Sequence, residues 1–392
     1  MILPLLPFAL FLVILPFPGT VALRLLCLVA AAATAIFFWW RQSRDRPVIP
    51  CKPVLVLWIS LAALSLIYSA IPDYSLGEFK NEIGYTMLAF FSFLIIARNS
   101  ETVERLLVAL AAGFAIIGIW AAWAWLANDF VWDQSGHYGG IAVFSTYIVT
   151  IAPALFCLAS TASRPWLRRA AWALSALAFL LALMTLQRAV WPALFAEAAV
   201  IGFWRFRKSR SKRIGQVMLV VVAVIISASF YATSSLRSDD MKGMEESVEE
   251  SLVADSRLAA WRGIVAKIAE HPWIGAGFGR GAMGRVYPEL IPENKMISHP
   301  HNVLLNYGIA MGIPGILALA ALFLCLARTF WKLARRDEED LASYGVCGVA
   351  LIVGVLTRNQ FNDLFIRDMA LLFWALIGIF LGQAMRLARN DS

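Results

Sequence analysis

Uninterrupted apolar stretches of roughly 18 residues or more recur along most of the chain, separated by short polar junctions. Wound as α-helices, such stretches match the hydrocarbon thickness of a bilayer, and only helices or closed barrels satisfy their own backbone there. A barrel would alternate apolar and polar positions, and these runs are continuous. Composition agrees: 60% of the 392 residues are hydrophobic and 15% are charged, against about half apolar in soluble domains. The chain is therefore expected to be an all-α polytopic integral membrane protein. Spans are expected at about 3–17, 20–40, 53–71, 82–97, 104–127, 140–160, 168–186, 189–204, 214–231, 303–327, 341–357 and 365–386, about twelve transmembrane helices in all.

The net charge of +8 is a topological signal rather than a nucleic-acid footprint, because Lys and Arg cluster in short junctions. Alternate junctions ("RQSRDRPVIPCK", "RNSETVER", "SRPWLRR", "RFRKSRSKR", "RTFWKLARR" and the tail "RLARN") hold 21 of the 34 basic residues. The opposite short junctions hold Arg24, Lys80, Arg188, Arg358 and Arg367. The positive-inside rule puts the first set and both termini in the cytoplasm, consistent with an even number of spans. The N-terminal "MILPLLPFALFLVILPF" has no basic n-region and reads as a membrane helix rather than a signal peptide.

Three segments follow: residues 1–231 with helices one to nine, 232–302 as one large outer loop, and 303–392 with helices ten to twelve. Within the loop, Leu258, Trp261, Val265 and Ile268 recur at helical spacing. An amphipathic helix over 256–270 is expected, against the membrane surface or the bundle. Pro272 ends it, and "GAGFGRG" reads as a mobile, turn-rich stretch. The five cysteines, Cys27, Cys51, Cys157, Cys325 and Cys347, fall in helices or at the cytoplasmic side, so no disulfide framework is expected.

All four histidines, His137, His271, His299 and His301, fall on the outer face. Imidazole accepts a proton near neutral pH without tuning, so the "HPHN" pair at the start of a span is a catalytic candidate. The plainer alternative is a helix cap, for which Asn302 is well suited. Arg188 in "TLQRAVW" sits between two helices at the same face. It is either an interfacial arginine snorkelling to headgroups or a planar fork aimed at a phosphate. Arg257 and Trp261 lie one turn apart on the loop helix, with Arg262, Arg280 and Arg285 as further cations. Glu197, inside the eighth run, reads as a buried structural carboxyl with no assigned role. The first outer junction, "FPGT", has no acidic residue, no Asp-x-Asp occurs among Asp73, Glu78, Glu82, Asp129 and Asp133, and no nucleotide-binding glycine-lysine loop is present. No metal and no other cofactor is expected.

Together, "LQRAVW", "DSRLAAWRGIVAKIAEHPWIGAGFG", "HPHN" leading into a helix, and "GIAMGIPGIL" resemble, in order and spacing, the O-antigen ligase family, within the O-antigen ligase and polymerase superfamily. The resemblance covers roughly residues 180–330. It implies an inner-membrane glycosyltransferase of lipopolysaccharide biosynthesis in Gram-negative bacteria. Such a protein moves a glycan from undecaprenyl diphosphate to lipid A–core at the periplasmic face, without ATP or metal. The partners implied are that donor, that acceptor and the surrounding membrane lipids. Carried over residue by residue, Arg188 and Arg257 match the family's essential arginines and His301 its essential histidine. His299, Trp261, Arg262, Arg280 and Asn302 are then expected near substrate. The arginines would steady the diphosphate leaving group, and neutral His301 would take the acceptor's proton; the neighbouring cations favour the neutral ring. A single displacement would invert the anomeric carbon. A polymerase or a protein O-oligosaccharyltransferase of the same superfamily would share this chemistry. A transporter or flippase would instead concentrate charge at the bilayer midplane and show internal repeats, and neither is evident in the sequence.

Overall fold

The structure, a computed structural model, describes residues 3–41, 47–128, 132, 140–208, 224, 227–232, 246–291, 299–361, 365 and 367–390. The side chains of 246–257, 389 and 390 lie outside that description. His137, Asp129 and Asp133 fall outside it entirely, as do twelve of the eighteen residues of the expected span at 214–231.

Among the described residues every regular element is helical. In chain order these are α1 (Leu6–Ile14), α2 (Val21–Arg41), α3 (Lys52–Leu64), α4 (Pro72–Phe79), α5 (Tyr85–Ile96), α6 (Ser100–Ala127), α7 (Ile141–Thr161), α8 (Pro165–Met184) and α9 (Val190–Lys208). There follow α10 (Glu246–Glu270), α11 (Ala282–Val286), α12 (Val303–Ala334), α13 (Glu339–Arg358) and α14 (Arg367–Asn390). Among the described residues eight stretches are long and apolar enough to cross a bilayer: α2, α4 through α5, α6, α7, α8, α12, α13 and α14. The protein is thus a multi-pass membrane protein. Helix α1 and the thirteen-residue α3 are apolar but shorter, and α9 ends in Arg205, Arg207 and Lys208. The expected outer junction at 72–81 is itself helical: Pro72 starts α4, and a π-turn at Lys80–Gly84 joins it to α5. Proline suits a first helical position, where its missing N–H costs nothing.

Helices in lipid associate through close packing, not through escape from water. Gly378 and Gly382 are spaced for that on α14: a Cβ there would come within 2.6 Å of Phe90 O and 2.5 Å of Leu94 O on α5. Above this seam Trp374 packs between Trp58 and Phe90, with ring centroids 5.8 and 5.5 Å away.

The two ends of the bundle differ in chemistry. At one end Trp204 Nε1 donates to Ala334 O (2.9 Å), Lys208 Nζ to Asp337 O (3.4 Å) and Arg386 Nη2 to Ile95 O (3.0 Å), which gathers the basic junctions together. At the other, Arg358 is fully buried and donates to Ser145 Oγ (2.8 Å), while buried Arg24 donates to Leu15 O and pairs with Asp368. Arg24 and Arg358, counted in the sequence as junction cations, are therefore packed inside the bundle. Cys51, at the start of α3, is joined by a disulfide to Cys325 in α12, with Cα atoms 5.9 Å apart. This corrects the expectation of no bridge. The sequence separation of 274 between the two hides from the sequence that α3 packs alongside α12.

Helix α12 breaks at Gly312, whose φ of 69° and ψ of −166° lie in a region open essentially to glycine. Pro314 has no N–H for the carbonyl of Ala310, four residues back. The freed groups are taken up by the segment after α10. Gly277 N donates to Ala310 O (3.1 Å), Ala276 N to Ile309 O (2.7 Å), and Ile313 N to Pro272 O (2.8 Å). Ala70 N, just before α4, donates to Ala276 O on the other side (3.1 Å). The "GAGFG" stretch, expected to be mobile, is thus wedged between α4 and the break in α12. Gly312→Ala should lower the melting temperature in detergent by several degrees, because the new Cβ would lie 2.5 Å from Pro272 O in a strained backbone. An unchanged melting temperature would show that the wedge does not depend on this glycine.

Candidate functional site

The histidine pair stands on the cap of α12. Asn302 has extended backbone, and its Oδ1 accepts from Leu304 N (2.9 Å) and Leu305 N (3.1 Å), satisfying two otherwise orphaned helix-start amides. Its Nδ2 donates to Gln360 Oε1 (3.1 Å) and Gln360 O (3.3 Å), and Val303 N donates to Asn359 O (2.9 Å). The start of α12 is thereby tied to the end of α13. The capping reading of "HPHN" holds for Asn302, whose amide works in structure at both its oxygen and its nitrogen.

His301 precedes this cap with φ of 52°, the left-handed region that non-glycine residues seldom occupy. Such backbone persists only where its surroundings fix it, and it is over-represented at functional sites. One fixing contact is visible: Trp261 Nε1 donates to Pro300 O (2.7 Å), holding the peptide between the two imidazoles. The rings of His299 and His301 face each other with centroids 3.8 Å apart and planes 35° apart. Arg280 Nη2 meets His299 Nε2. A guanidinium only donates, so Nε2 accepts, and a neutral His299 carries its proton on Nδ1. Arg280, His299 and His301 thus form one contiguous cluster, all three half-buried.

Helix α10 supplies the wall behind the cluster. Ala260, Ile264 and Ile268 are buried with Met283 and Ile309, flanked by Trp261, Tyr287, Leu290 and Leu305. The helix therefore packs on α11 and α12, the bundle side of the two placements left open by the sequence. The buried stripe also differs from the expected one. Leu258 and Val265 are 49% and 54% exposed, because small Ala260 and branched Ile264 sit on the closer-packed face. Arg262 lies on the exposed side, and His271 is exposed just beyond the helix. Arg257 falls one turn before Trp261; its side chain lies outside the described residues. Lys267 bridges Glu270 (3.2 Å) and Glu289 (3.7 Å), and those carboxylates hold its ammonium pKa above the usual lysine value.

Arg188 sits in the tight turn between α8 and α9, where Trp191 N donates to Arg188 O (3.2 Å) and Leu186 is left-handed. The register of α9 against α13 fixes which end of the bundle this is. Arg205 reaches Glu339 (3.9 Å) near one end, and Glu197 lies against Gly354 further along. The helices run antiparallel, so the start of α9 lies level with the end of α13, where Gln360 holds Asn302. Arg188 and the histidine pair thus share one end of the molecule. Below the Arg188 turn, an apolar groove of about 340 Å3 runs between α7, α8 and α9, lined by residues such as Ile148, Phe179, Leu194 and Glu197.

Other parts of the site escaped the sequence. Tyr74 on α4 accepts from Gly281 N (2.7 Å) at its hydroxyl, and Arg285 lies 4.3 Å over its ring. Asn359 and Gln360 orient the cap. The polar run "TRNQ" closing an otherwise apolar span was a signal for the latter two; nothing marked Tyr74. Among the described residues no group of three His, Cys, Asp or Glu side chains is placed to hold a metal ion.

Comparison with known proteins bears on this region. The family model described as O-antigen ligase (Wzy_C) matches residues 173–320. That stretch includes Arg188, Arg257, Trp261, Arg262, Arg280, His299, His301 and Asn302. A curated O-antigen ligase of Pseudomonas aeruginosa is 25% identical over 348 residues, covering 86% of this chain and 79% of that protein.

Proposed function

This chain carries the O-antigen ligase family region over residues 173–320, and from that premise we propose that it transfers O-antigen glycan from undecaprenyl diphosphate to lipid A–core. The reaction takes place at the periplasmic face of the inner membrane, with both termini in the cytoplasm and twelve spans in all. Those spans are the eight long ones together with α1, α3, α9 and the 214–231 stretch. The observation that carries the reading is the contiguous Arg280–His299–His301 cluster on the cap of α12, inside the matched region.

The chemistry runs as a single displacement. The acceptor sugar's hydroxyl oxygen attacks the anomeric carbon as the bond from that carbon to the diphosphate breaks. The hydroxyl proton passes to His301, and undecaprenyl diphosphate leaves with the electron pair. Arg188 and Arg257 meet the charge that grows on the leaving oxygens, where fixed cations help most. Arg280 steadies His299 and, through the facing ring, the orientation of His301. Trp261 holds the peptide between them, and Asn302 positions the pair through the cap. Arg262, exposed on α10, is placed to meet an incoming anionic headgroup. The polyprenyl tail suits the apolar groove below Arg188, so the donor arrives sideways from the lipid. No step needs a metal.

The test is turnover by the purified protein in detergent, given undecaprenyl-diphosphate glycan and lipid A–core, with EDTA present. Glycan-capped lipid A–core with inverted anomeric configuration is the expected product. Lengthened glycan still on undecaprenyl diphosphate would make the protein a polymerase. Loss of product in EDTA with rescue by Mg²⁺ or Zn²⁺ would overturn the metal-free scheme.

A further inference from the structure

Arg280, which meets His299, stands between two glycines, and both of them lie on one side chain of α4. Gly281 N donates to the hydroxyl of Tyr74 (2.7 Å). A Cβ on Gly281 would come within 2.6 Å of that hydroxyl oxygen. A Cβ on Gly279 would come within 2.9 Å of Tyr74 Cε1 and 2.8 Å of Glu78 Cγ. Gly279 also has φ of 124°, a conformation that side chains other than glycine's seldom allow. The loop therefore settles on Tyr74 immediately before and immediately after Arg280.

Tyr74 is itself held from several sides. The guanidinium carbon of Arg285 lies 4.3 Å over its ring, and Arg285 N donates to Gly281 O (3.2 Å), so α11 closes on the same contact. Within α4 the next residue, Ser75, is fully buried, with its Oγ 2.7 Å from Ser69 Oγ. At the end of α4, Phe79 meets buried Phe278 edge-on (6.1 Å between centroids), and Phe278 meets Tyr307 of α12 in the same manner (6.1 Å). Rings and close contacts thus seat the loop on α4. The Tyr74 hydroxyl adds a directed bond at the residue that follows Arg280.

A guanidinium sits at the end of a long side chain, so a small turn of its own peptide becomes a large shift at its tip. At a reacting centre a misplacement of about 1 Å is enough to slow the chemistry severely. We infer that Tyr74 is a positioning residue for the transfer reaction: by holding Gly281 N it sets the direction in which Arg280 leaves the loop, and so keeps the guanidinium on His299 and the two imidazoles facing each other. Its place in catalysis rests on the glycan-transfer reading. The mechanical link from Tyr74 through Arg280 to His299 does not.

The test is Tyr74→Phe in the purified full-length protein, which removes the hydroxyl and keeps the ring under Arg285. Diethyl pyrocarbonate acylates accessible imidazole nitrogen, and Arg280 covers Nε2 of His299. Labelling of His299 relative to exposed His271, read by peptide mapping, therefore reports the contact without any turnover. Arg280→Ala should raise that ratio about ten-fold and Tyr74→Phe about five-fold, the weights of a charge-assisted and a neutral hydrogen bond. The double variant should go no further than Arg280→Ala alone, since both act on one contact. In glycan transfer, Tyr74→Phe should lower kcat about five-fold with KM for the donor unchanged, and should cost nothing more once Arg280 is Ala. An unchanged labelling ratio in Tyr74→Phe, additive losses in the double variant, or a Tyr74→Phe protein that does not fold would each overturn the inference and make Tyr74 a brace of the fold. The expected labelling in a wild-type protein that transfers no glycan would support the link to His299 and overturn the transfer reading instead.

Discussion

His301→Ala is expected to lower glycan transfer by about 10²- to 10⁴-fold, the range that a positioned general base contributes, while donor binding survives. The backbone at His301 is left-handed, so the substitution alters two things at once: it removes the imidazole and it places alanine in a strained conformation. His301→Asn separates them, because asparagine tolerates that conformation and keeps a polar side chain but cannot take the proton. The two variants should be equally inactive, with the asparagine variant melting closer to wild type. Donor affinity, read by binding of the unreacted lipid diphosphate, should stay within a few-fold. Loss of donor binding in His301→Asn would make the residue a binding group and remove the base from the scheme.

Arg188→Ala should reduce turnover by about 10²- to 10³-fold, the usual cost of removing one fixed donor aimed at charge that develops in the transition state. Arg188→Lys is the informative companion. Lysine keeps the charge but loses the planar fork that meets two phosphate oxygens at once, so most of the loss should remain. The helix-to-helix turn that holds Arg188 depends on backbone bonds from Val190 and Trp191, and both variants should insert and fold. Near-normal turnover in Arg188→Ala would leave the arginine as a headgroup anchor only.

The sequence spoke most clearly where one physical rule acts alone. Apolar runs located α2, α6, α7, α8, α13 and α14 to within a few residues, and the start of α12, whose end lies seven residues past the expected span, since a bilayer demands length and apolarity and little else. It spoke poorly where two distant segments decide the outcome. The wedge of residues 272–277 in the break of α12 needs Pro314 and Gly312 on one side and a glycine run on the other. Each reads locally as a kink or a flexible turn, and the backbone bonds between them appear only in three dimensions. The Cys51–Cys325 bridge is hidden in the same way. On α10 the helical period was legible but its phase was not, because Leu258 and Val265 look more like core than Ala260 does. At the site, His299, His301, Arg280, Trp261 and Asn302 were all named from the sequence. Asn302 as a cap was also legible; that its amide ties α12 to Gln360, and that Arg280 belongs with His299 more than Arg262 does, follows only from geometry. Tyr74 lay beyond reach, because nothing in "IPDYSLGE" ties it to a glycine two hundred residues later.

The central claim is that one lipid diphosphate meets both the turn before α9 and the cap of α12. Its most direct measurement is photolabelling of the purified protein with a polyprenyl diphosphate that carries a photoreactive group beside the phosphates, followed by peptide mapping. The account predicts adducts on both the 185–191 and the 299–305 peptides, each suppressed by unlabelled donor. Adducts confined to one of the two, or found at the basic end of the bundle, would contradict it.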